Sequence, residues 1–462
     1  MRSGGAVLSG ARAAERSGAG RRAGGQKPSV IAGVSSGEPI EVRLAAAGLP
    51  PLPRHAWLEA DLGALEANLR TIRTLVGPGV AIAAVVKGDG YGHGLEAAAR
   101  TFAAAGAELL CVATLDEGLA LRAAGVTAPT AVLFAIPVER LDEAIRARLE
   151  LVAADLDGID ALLRAWRARS SGLGHENEEL VLHLEIETGL GRAGVPVARA
   201  AAVAASIVAT PGVRLRSVWS HLASSHDADT SAEQVGRFET AVAAVRRAGV
   251  EVPARHLAAS GGLFGATGPS LELVRPGLAL YGELGVGFPV APSLQAAASA
   301  LRPALTLKAR PLRVEAVPAG TPTGYGGLWR APRPSVVATL PVGYADGYAR
   351  SYGAGSGADG TADVLVRGRR ASVVGSVAMD AIAVDVTNIP GVGQTDEFVL
   401  LGVQGNDRIA ASELARLRTT IVYEVLTAMA PRLTRVYHAP AGLLGLRTLQ
   451  GETASRERGG EA

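Results

Sequence analysis

A chain of 462 residues with 48% hydrophobic content is long enough for two or three domains with buried cores, which excludes disorder throughout. Lys and Arg number 46 against 44 Asp and Glu, a net charge of +2, but residues 1–27 alone carry +5 and leave the remainder at −3, which is no electrostatic footprint for nucleic acid. One cysteine, Cys111, excludes a disulfide framework, and no apolar run reaches the roughly 20 residues of a membrane span, so a soluble cytoplasmic protein is expected.

Residues 1–52 are rich in Gly, Ala, Ser and Arg without apolar periodicity and are expected to be disordered and dispensable. They lack the apolar core of a secretory signal, although an Arg-rich, acid-poor tail also has the composition of an organelle transit peptide. From Trp57, WLEADL reads as a strand, and Leu62, Leu65, Leu69, Ile72 and Leu75 recur at helical spacing. VAIAAVVK (80–87) reads as a strand buried on both faces. A helix from about Leu95 and the strand LLCVA follow, and then Thr114 with Glu117 three residues on predicts a capping box. Further apolar runs at 130–135, 150–153, 180–186, 215–219, near 255 and at 278–282 alternate with helix-like stretches. About eight strands and helices over this length predict a (β/α)8 TIM barrel across residues 53–300. Beyond it, ALTLKARPLRVEAV, PSVVATLPVGY, ADVLVRGRRASVVGSV, AIAVDVT and EFVLLG predict a C-terminal mainly β domain over 301–446, with a loose tail at 447–462.

Only three of the 46 basic residues are lysines: Lys27, Lys87 and Lys308. AVVKGDGYGHG (84–94) puts Lys87 at the C-terminal end of a buried strand, the end that faces the active site of a parallel barrel. Desolvation lowers the pKa of an amine there, leaving a neutral group able to form a Schiff base or act as a base. A lysine snorkelling at the barrel rim fits the same position.

AVVKGDGYGHG resembles the pyridoxal-phosphate motif of the alanine racemases, enzymes built from a barrel and a C-terminal β domain. The resemblance continues in order through HLEIETGLGRAG (183–194), SHLASSHD (220–227), HLAASGG (256–262), VRPGLALYG (274–282), GYGG (324–327), LPVGYADGY (340–348), VGSVAMD (374–380) and IVYEVLT (421–427). It implies that Lys87 holds pyridoxal phosphate covalently and serves one face of the substrate, and that Tyr325 is the second base, delivered from the other subunit of a homodimer. It further implies that Arg275 faces the cofactor's pyridine nitrogen. The phosphate site becomes the Tyr91 and Tyr423 hydroxyls, Ser260, and the N–H groups of Gly277 and Leu278. His221 becomes the orienting partner of the catalytic tyrosine. Arg192 and the Met379 N–H, the latter also from the partner subunit, become the holders of the substrate carboxylate, with Asp380 supporting that loop. Taken singly, Tyr325 also reads as a turn tyrosine, Ser260 as turn chemistry, His221 as a buried structural histidine and Arg275 as a surface salt-bridge partner.

The sequence departs from the family pattern in several places. Gly88 and Gly90 stand where alanines are usual and are expected to loosen the loop, while Ala378 and Ala259 replace the commoner Cys and Asn. Glu185, seven residues before Arg192, stands where many members have a carbamylated lysine, and as an anion already it is expected to orient Arg192 and to stay ionised at every working pH. Glu187 lies on the same strand face. The implied function is interconversion of L- and D-alanine for peptidoglycan. A racemase of broader range is the nearest rival, although such enzymes are commonly exported. A non-catalytic pyridoxal-phosphate-binding barrel would lack Tyr325 and the β domain, and a decarboxylase of the same plan would carry a Cys near its C-terminus rather than at Cys111.

Overall fold

The computed structural model describes residues 38–170, 178–355 and 360–455. Eight parallel strands form the barrel, in the spatial order Leu273–Val274, Ala81–Val85, Leu109–Val112, Thr130–Val132, Glu150–Ala153, Leu180–Glu187, Val213–Trp219 and Arg255–His256. A parallel bridge between Ala259 and Arg275 brings the last strand back to the first. Strands such as Ala81–Val85 and Leu109–Val112 are buried almost throughout, as continuous apolar runs require when side chains fill the barrel and helices cover its outside. The helix Leu115–Ala123 opens with the expected capping box of Thr114 and Glu117.

Two apolar runs fold otherwise than their composition predicts. Ala56–Asp61 is no barrel strand: it pairs antiparallel with Leu305–Ala309 and parallel with Thr434–Ala439, in the middle of the C-terminal sheet. Both of its faces are covered, so its apolar pattern suits either sheet, and only distant partners decide which one takes it. The run at 278–282 is a 3-10 turn over Leu278–Tyr281, and the eighth barrel strand is the short Leu273–Val274 before it.

The C-terminal sheet has twelve strands, mainly antiparallel, and continues past residue 446. Gly442–Thr448 pairs with Gly451–Ala454, so the segment expected to be a loose tail extends the sheet through Ala454; residues 456–462 lie outside the described part. The expectation of disorder over 1–52 fails in its last part. Residues 1–37 lie outside the described part, but Ile40–Ala46 is a helix that buries Ile40 and Leu44, with Leu49, against Trp57, Val436 and Leu446. Arg43 of that helix pairs with buried Glu59 at 3.0 Å. A few apolar side chains among small polar ones escape a composition argument, yet they suffice where a preformed apolar surface receives them. Among the described residues no helix is long and apolar enough to cross a membrane.

Candidate active site

A cavity of about 290 Å³ opens at the C-terminal ends of the barrel strands, and its lining includes Lys87, Tyr91, Arg192, His221, Ser260, Arg275, Gly277, Leu278 and Tyr423. Nine of the thirteen positions singled out in the sequence therefore converge.

Lys87 follows the strand Ala81–Val85 by two residues. The chain then makes a left-handed turn: Gly88, Asp89, Gly90 and Tyr91 have φ between 51° and 63°, closed by Gly90 N–H to Val86 O at 2.8 Å and Gly92 N–H to Gly88 O at 3.0 Å. Left-handed residues are costly for L-amino acids, so the glycines at 88 and 90 relieve a tight turn rather than loosen a loop, which corrects the expectation. Glu117 accepts the Gly88 and Ala113 N–H groups at 2.7 Å. Asp89 is bound by Arg447 at 2.7 Å and by fully buried Arg435 at 3.1 Å, and it also accepts the Leu95 N–H. Arg435 in turn donates to the carbonyls of Gly92 and Met429. The turn that carries Lys87 is thus pinned by two arginines of the C-terminal sheet.

Burial, reinforced by the positive charges of Arg192 and Arg275, lowers the Lys87 pKa. Its Nζ lies 6.0 Å from the Phe134 ring centroid, and the Arg192 guanidinium stacks over the same ring at 5.5 Å. Phe134 was missed by the sequence reading; the available signal was its place just after the barrel strand Thr130–Val132.

Ser260, Tyr91, Tyr423 and the Gly277 turn lie together. Ser260 Oγ accepts N–H groups of Gly277 at 3.0 Å and Ala279 at 3.1 Å, so the Gly277 N–H, expected to face a phosphate, is engaged within the protein. Tyr91 stacks on Tyr281 at 4.7 Å and lies 6.0 Å from the Tyr423 ring. A Cβ on Gly277 would stand 2.4 Å from the Tyr91 hydroxyl oxygen, so glycine is what lets this hydroxyl approach. Desolvation raises the pKa of both tyrosines, keeping them neutral donors.

Arg275 is buried, which excludes the surface salt bridge. It donates to His256 Nδ1, to Ser220 O at 2.7 Å and to His221 Nδ1 at 3.2 Å, and its guanidinium lies 4.4 Å from the Trp219 ring centroid. Burial lowers its pKa to about 10, still a cation at neutral pH. Burial and the charges of Arg275, Arg192 and Lys87 push His221 down to about 3, so it is a neutral imidazole.

Arg192 donates to Glu185 at 3.2 Å. Glu185 is buried, and its desolvation outweighs the attraction of Arg192, so its pKa is raised; the expected indifference to pH does not follow from this site. Glu187 accepts the N–H groups of Gly189 and, at 2.9 Å, Gly191, which shapes the loop that presents Arg192.

Tyr325, Met379 and Asp380 do not line the cavity. Tyr325 is 77% exposed and Met379 51% exposed, on adjoining loops joined by the Ser376 hydroxyl donating to Tyr325 O at 3.1 Å. Asp380 pairs with Arg432 at 2.6 Å, and Arg432 continues to buried Asp346 at 2.7 Å, which ties the Met379 loop to the sheet.

Residues 60–284 match the profile of the alanine racemase N-terminal domain and residues 304–437 that of the alanine racemase C-terminal domain. The chain belongs to the alanine racemase family. The alanine racemase of Syntrophobacter fumaroxidans is 37% identical over 387 residues, 83% of this chain and 98% of its own. That of Mycobacterium bovis is 37% identical over 82% of this chain and 94% of its own. Among solved structures, the alanine racemase from Bacillus anthracis with bound L-Ala-P superposes with a TM-score of 0.77 at 28% identity, covering 87% of this chain and 99% of that one. The enzyme from D-cycloserine-producing Streptomyces lavendulae gives 0.74 at 32%, covering 84% and 98%. The enzyme from Bartonella henselae with covalently bound pyridoxal phosphate gives 0.69 at 25%, covering 84% and 100%. The chain is an isomerase of this family and matches the models of both of the family's domains.

The cavity suits a flat, anionic cofactor with a carbonyl group. It offers one amine of lowered basicity, clustered neutral hydroxyls around a side-chain-free Gly277, and a buried guanidinium braced by Trp219.

Proposed function

We propose that this chain interconverts L- and D-alanine with pyridoxal phosphate held by Lys87, and that each active site is completed by Tyr325 and Met379 of a second copy. The observation that carries the shared site is the separation of Lys87, in the cavity, from an exposed Tyr325 whose hydroxyl no group among the described residues engages. Racemisation needs proton donors on opposite faces of a planar carbon. Exposed Tyr325, Leu328, Tyr344 and Met379 form the kind of apolar surface that a second copy covers.

In this reading Tyr91, Tyr423 and Ser260 hold the cofactor phosphate, with Leu278 and, after rearrangement of the Ser260 bond, Gly277 contributing N–H groups. Bound pyridoxal phosphate supplies the electron sink that acidifies the substrate's α-hydrogen. Lys87 Nζ, made less basic by its neighbours, takes or returns a proton on one face, and Tyr325 Oη of the second copy serves the other. Arg192, steadied by Glu185 and Phe134, binds the alanine carboxylate, while Asp380 through Arg432 sets the Met379 N–H. Neutral His221 links Arg275 to the incoming tyrosine. Arg275 caps the ring nitrogen with a donor that stays charged. The lone buried thiol of Cys111 accords with a reducing cytoplasm, and D-alanine for peptidoglycan is the proposed use of the product.

Mixing Lys87→Ala and Tyr325→Phe proteins under subunit exchange tests the shared site. Each heterodimer then has one site lacking both bases and one with both, so racemase activity returns; if both bases act within one chain, no mixture restores it.

A further inference from the structure

Behind Arg275 lies a line of polar side chains that no step above uses. Four neighbouring barrel strands each contribute one: Glu150, His183, Ser217 and His256. His183 and Ser217 are paired in register across their strands, and all but Glu150 are almost fully buried. Glu150 Oε2 lies 2.7 Å from His183 Nε2, His183 Nδ1 lies 2.6 Å from Ser217 Oγ, and Ser217 Oγ lies 2.7 Å from His256 Nε2. His256 Nδ1 meets Arg275 Nη1, and the Trp219 ring stacks parallel to His256 while also lying under Arg275.

With both imidazoles neutral, the two ends fix every proton between them. A guanidinium only donates, so His256 Nδ1 is bare and the neutral ring carries its proton on Nε2. That Nε2–H donates to Ser217 Oγ, whose own proton is then free to donate only to His183 Nδ1. His183 in turn carries its proton on Nε2 and donates to Glu150, and a carboxylate only accepts. All four bonds therefore point the same way, from Arg275 to Glu150. The two imidazole centroids are 6.1 Å apart, too far for a direct bond, and a hydroxyl is what both accepts and donates between them. Burial, with the charge of Arg275, keeps His256 unprotonated, as the scheme requires. Among the described residues no carboxylate makes an ion pair with Arg275, so Glu150 is the anion its donor chain reaches.

We propose that Ser217, His183 and Glu150 are positioning residues for Arg275: a one-way hydrogen-bonded chain that fixes the guanidinium plane and holds its proton against transfer toward the cofactor ring. The proposal rests on the reading of Arg275 as facing that ring. Bonds aligned head to tail polarise one another, so the terminal charge is felt along the chain more than one isolated bond would transmit.

The test uses [15N]histidine-labelled holoenzyme, read by solid-state nitrogen NMR and by the visible absorption band of the bound cofactor. Wild type is expected to show two strongly hydrogen-bonded imidazoles with bare Nδ1 and protonated Nε2. Glu150→Gln retains an acceptor for His183 and removes only the charge; it should shift the nitrogen resonances of His183 and His256 and move the cofactor band. Ser217→Ala should shift both histidines and lower kcat/KM by up to about tenfold, the effect of one lost buried hydrogen bond. Ser217→Thr, which keeps the hydroxyl, should restore both, and so separates loss of the link from poor folding. Nδ1-protonated His183 or His256 in wild type overturns the chain. An unmoved cofactor band in Glu150→Gln overturns its influence on Arg275. Either failure is distinct from failure of subunit complementation, which judges Tyr325 and not this chain.

Discussion

Glu185→Gln separates binding from stability in a way few substitutions in this site would. The wild-type carboxylate is 3% exposed and makes one contact with Arg192 at 3.2 Å, while the arginine side chain remains 38% exposed. A charged hydrogen bond is worth about 1.5–3 kcal/mol, and solvent screening at a partly exposed arginine brings the expected share down to about 1 kcal/mol, since glutamine still offers a carbonyl acceptor. The Michaelis constant for alanine should therefore rise about fivefold in both directions, with a smaller change in kcat. Stability should behave oppositely. Desolvation raises the folded-state pKa of Glu185 above that of an unfolded glutamate, so the folded protein holds this proton more tightly; the contribution favours folding at low pH and is lost as pH rises through the raised value. At neutral pH the buried charge is a net cost, and the glutamine variant should melt no lower than wild type. Substrate affinity in wild type should weaken as pH falls into the raised carboxyl range, and this limb should vanish in the variant. Steady-state kinetics of both directions across pH, with melting curves in the same buffers, provide the assay. Equal alanine affinity in the two proteins, or a melting temperature that falls with the affinity, would refute the reasoning. Glu185→Lys should be impaired in carbonate-free buffer and partly rescued by bicarbonate, whereas wild type should be indifferent to it.

Borohydride reduction of the holoenzyme should fix the cofactor on the peptide containing Lys87 alone, because Lys308 is engaged by Glu59 at 3.1 Å and Glu397 at 3.3 Å in the C-terminal sheet; label on Lys308, found by peptide mapping, would remove Lys87 from the site. Arg447→Ala leaves Arg435 as the remaining arginine on Asp89, so cofactor retention during gel filtration should fall and kcat/KM should drop by about tenfold, the scale of one charge-assisted bond. Removal of residues 1–37 should leave the melting temperature unchanged, whereas removal of 1–50 uncovers Trp57, Val436 and Leu446 and should lower it by several degrees, with about 1.5–3 kcal/mol at stake for each of Ile40 and Leu44; equal melting of the two truncations would show that the helix contributes nothing.

What the sequence by itself determined was local. Continuous apolar runs marked the barrel strands, the spacing of Thr114 and Glu117 set a helix start, and the position of Lys87 beside a strand end marked it as a candidate, because each depends on residues within a few places of one another. The ordered family motifs then singled out residues, nine of which converge in the cavity. Only the tertiary structure decided matters that rest on partners far along the chain. WLEADL reads equally well as either sheet's strand until Leu305–Ala309 and Thr434–Ala439 flank it. The helix Ile40–Ala46 exists as a packed element because the sheet presents Trp57 and Leu446 to it. Arg447, in a segment whose composition suggested a tail, reaches Asp89 across 358 positions and pins the turn that carries Lys87. The direction of the Glu185 shift was likewise hidden, since the residue spacing gave its partner Arg192 but not its burial, and burial is the larger effect on its charge.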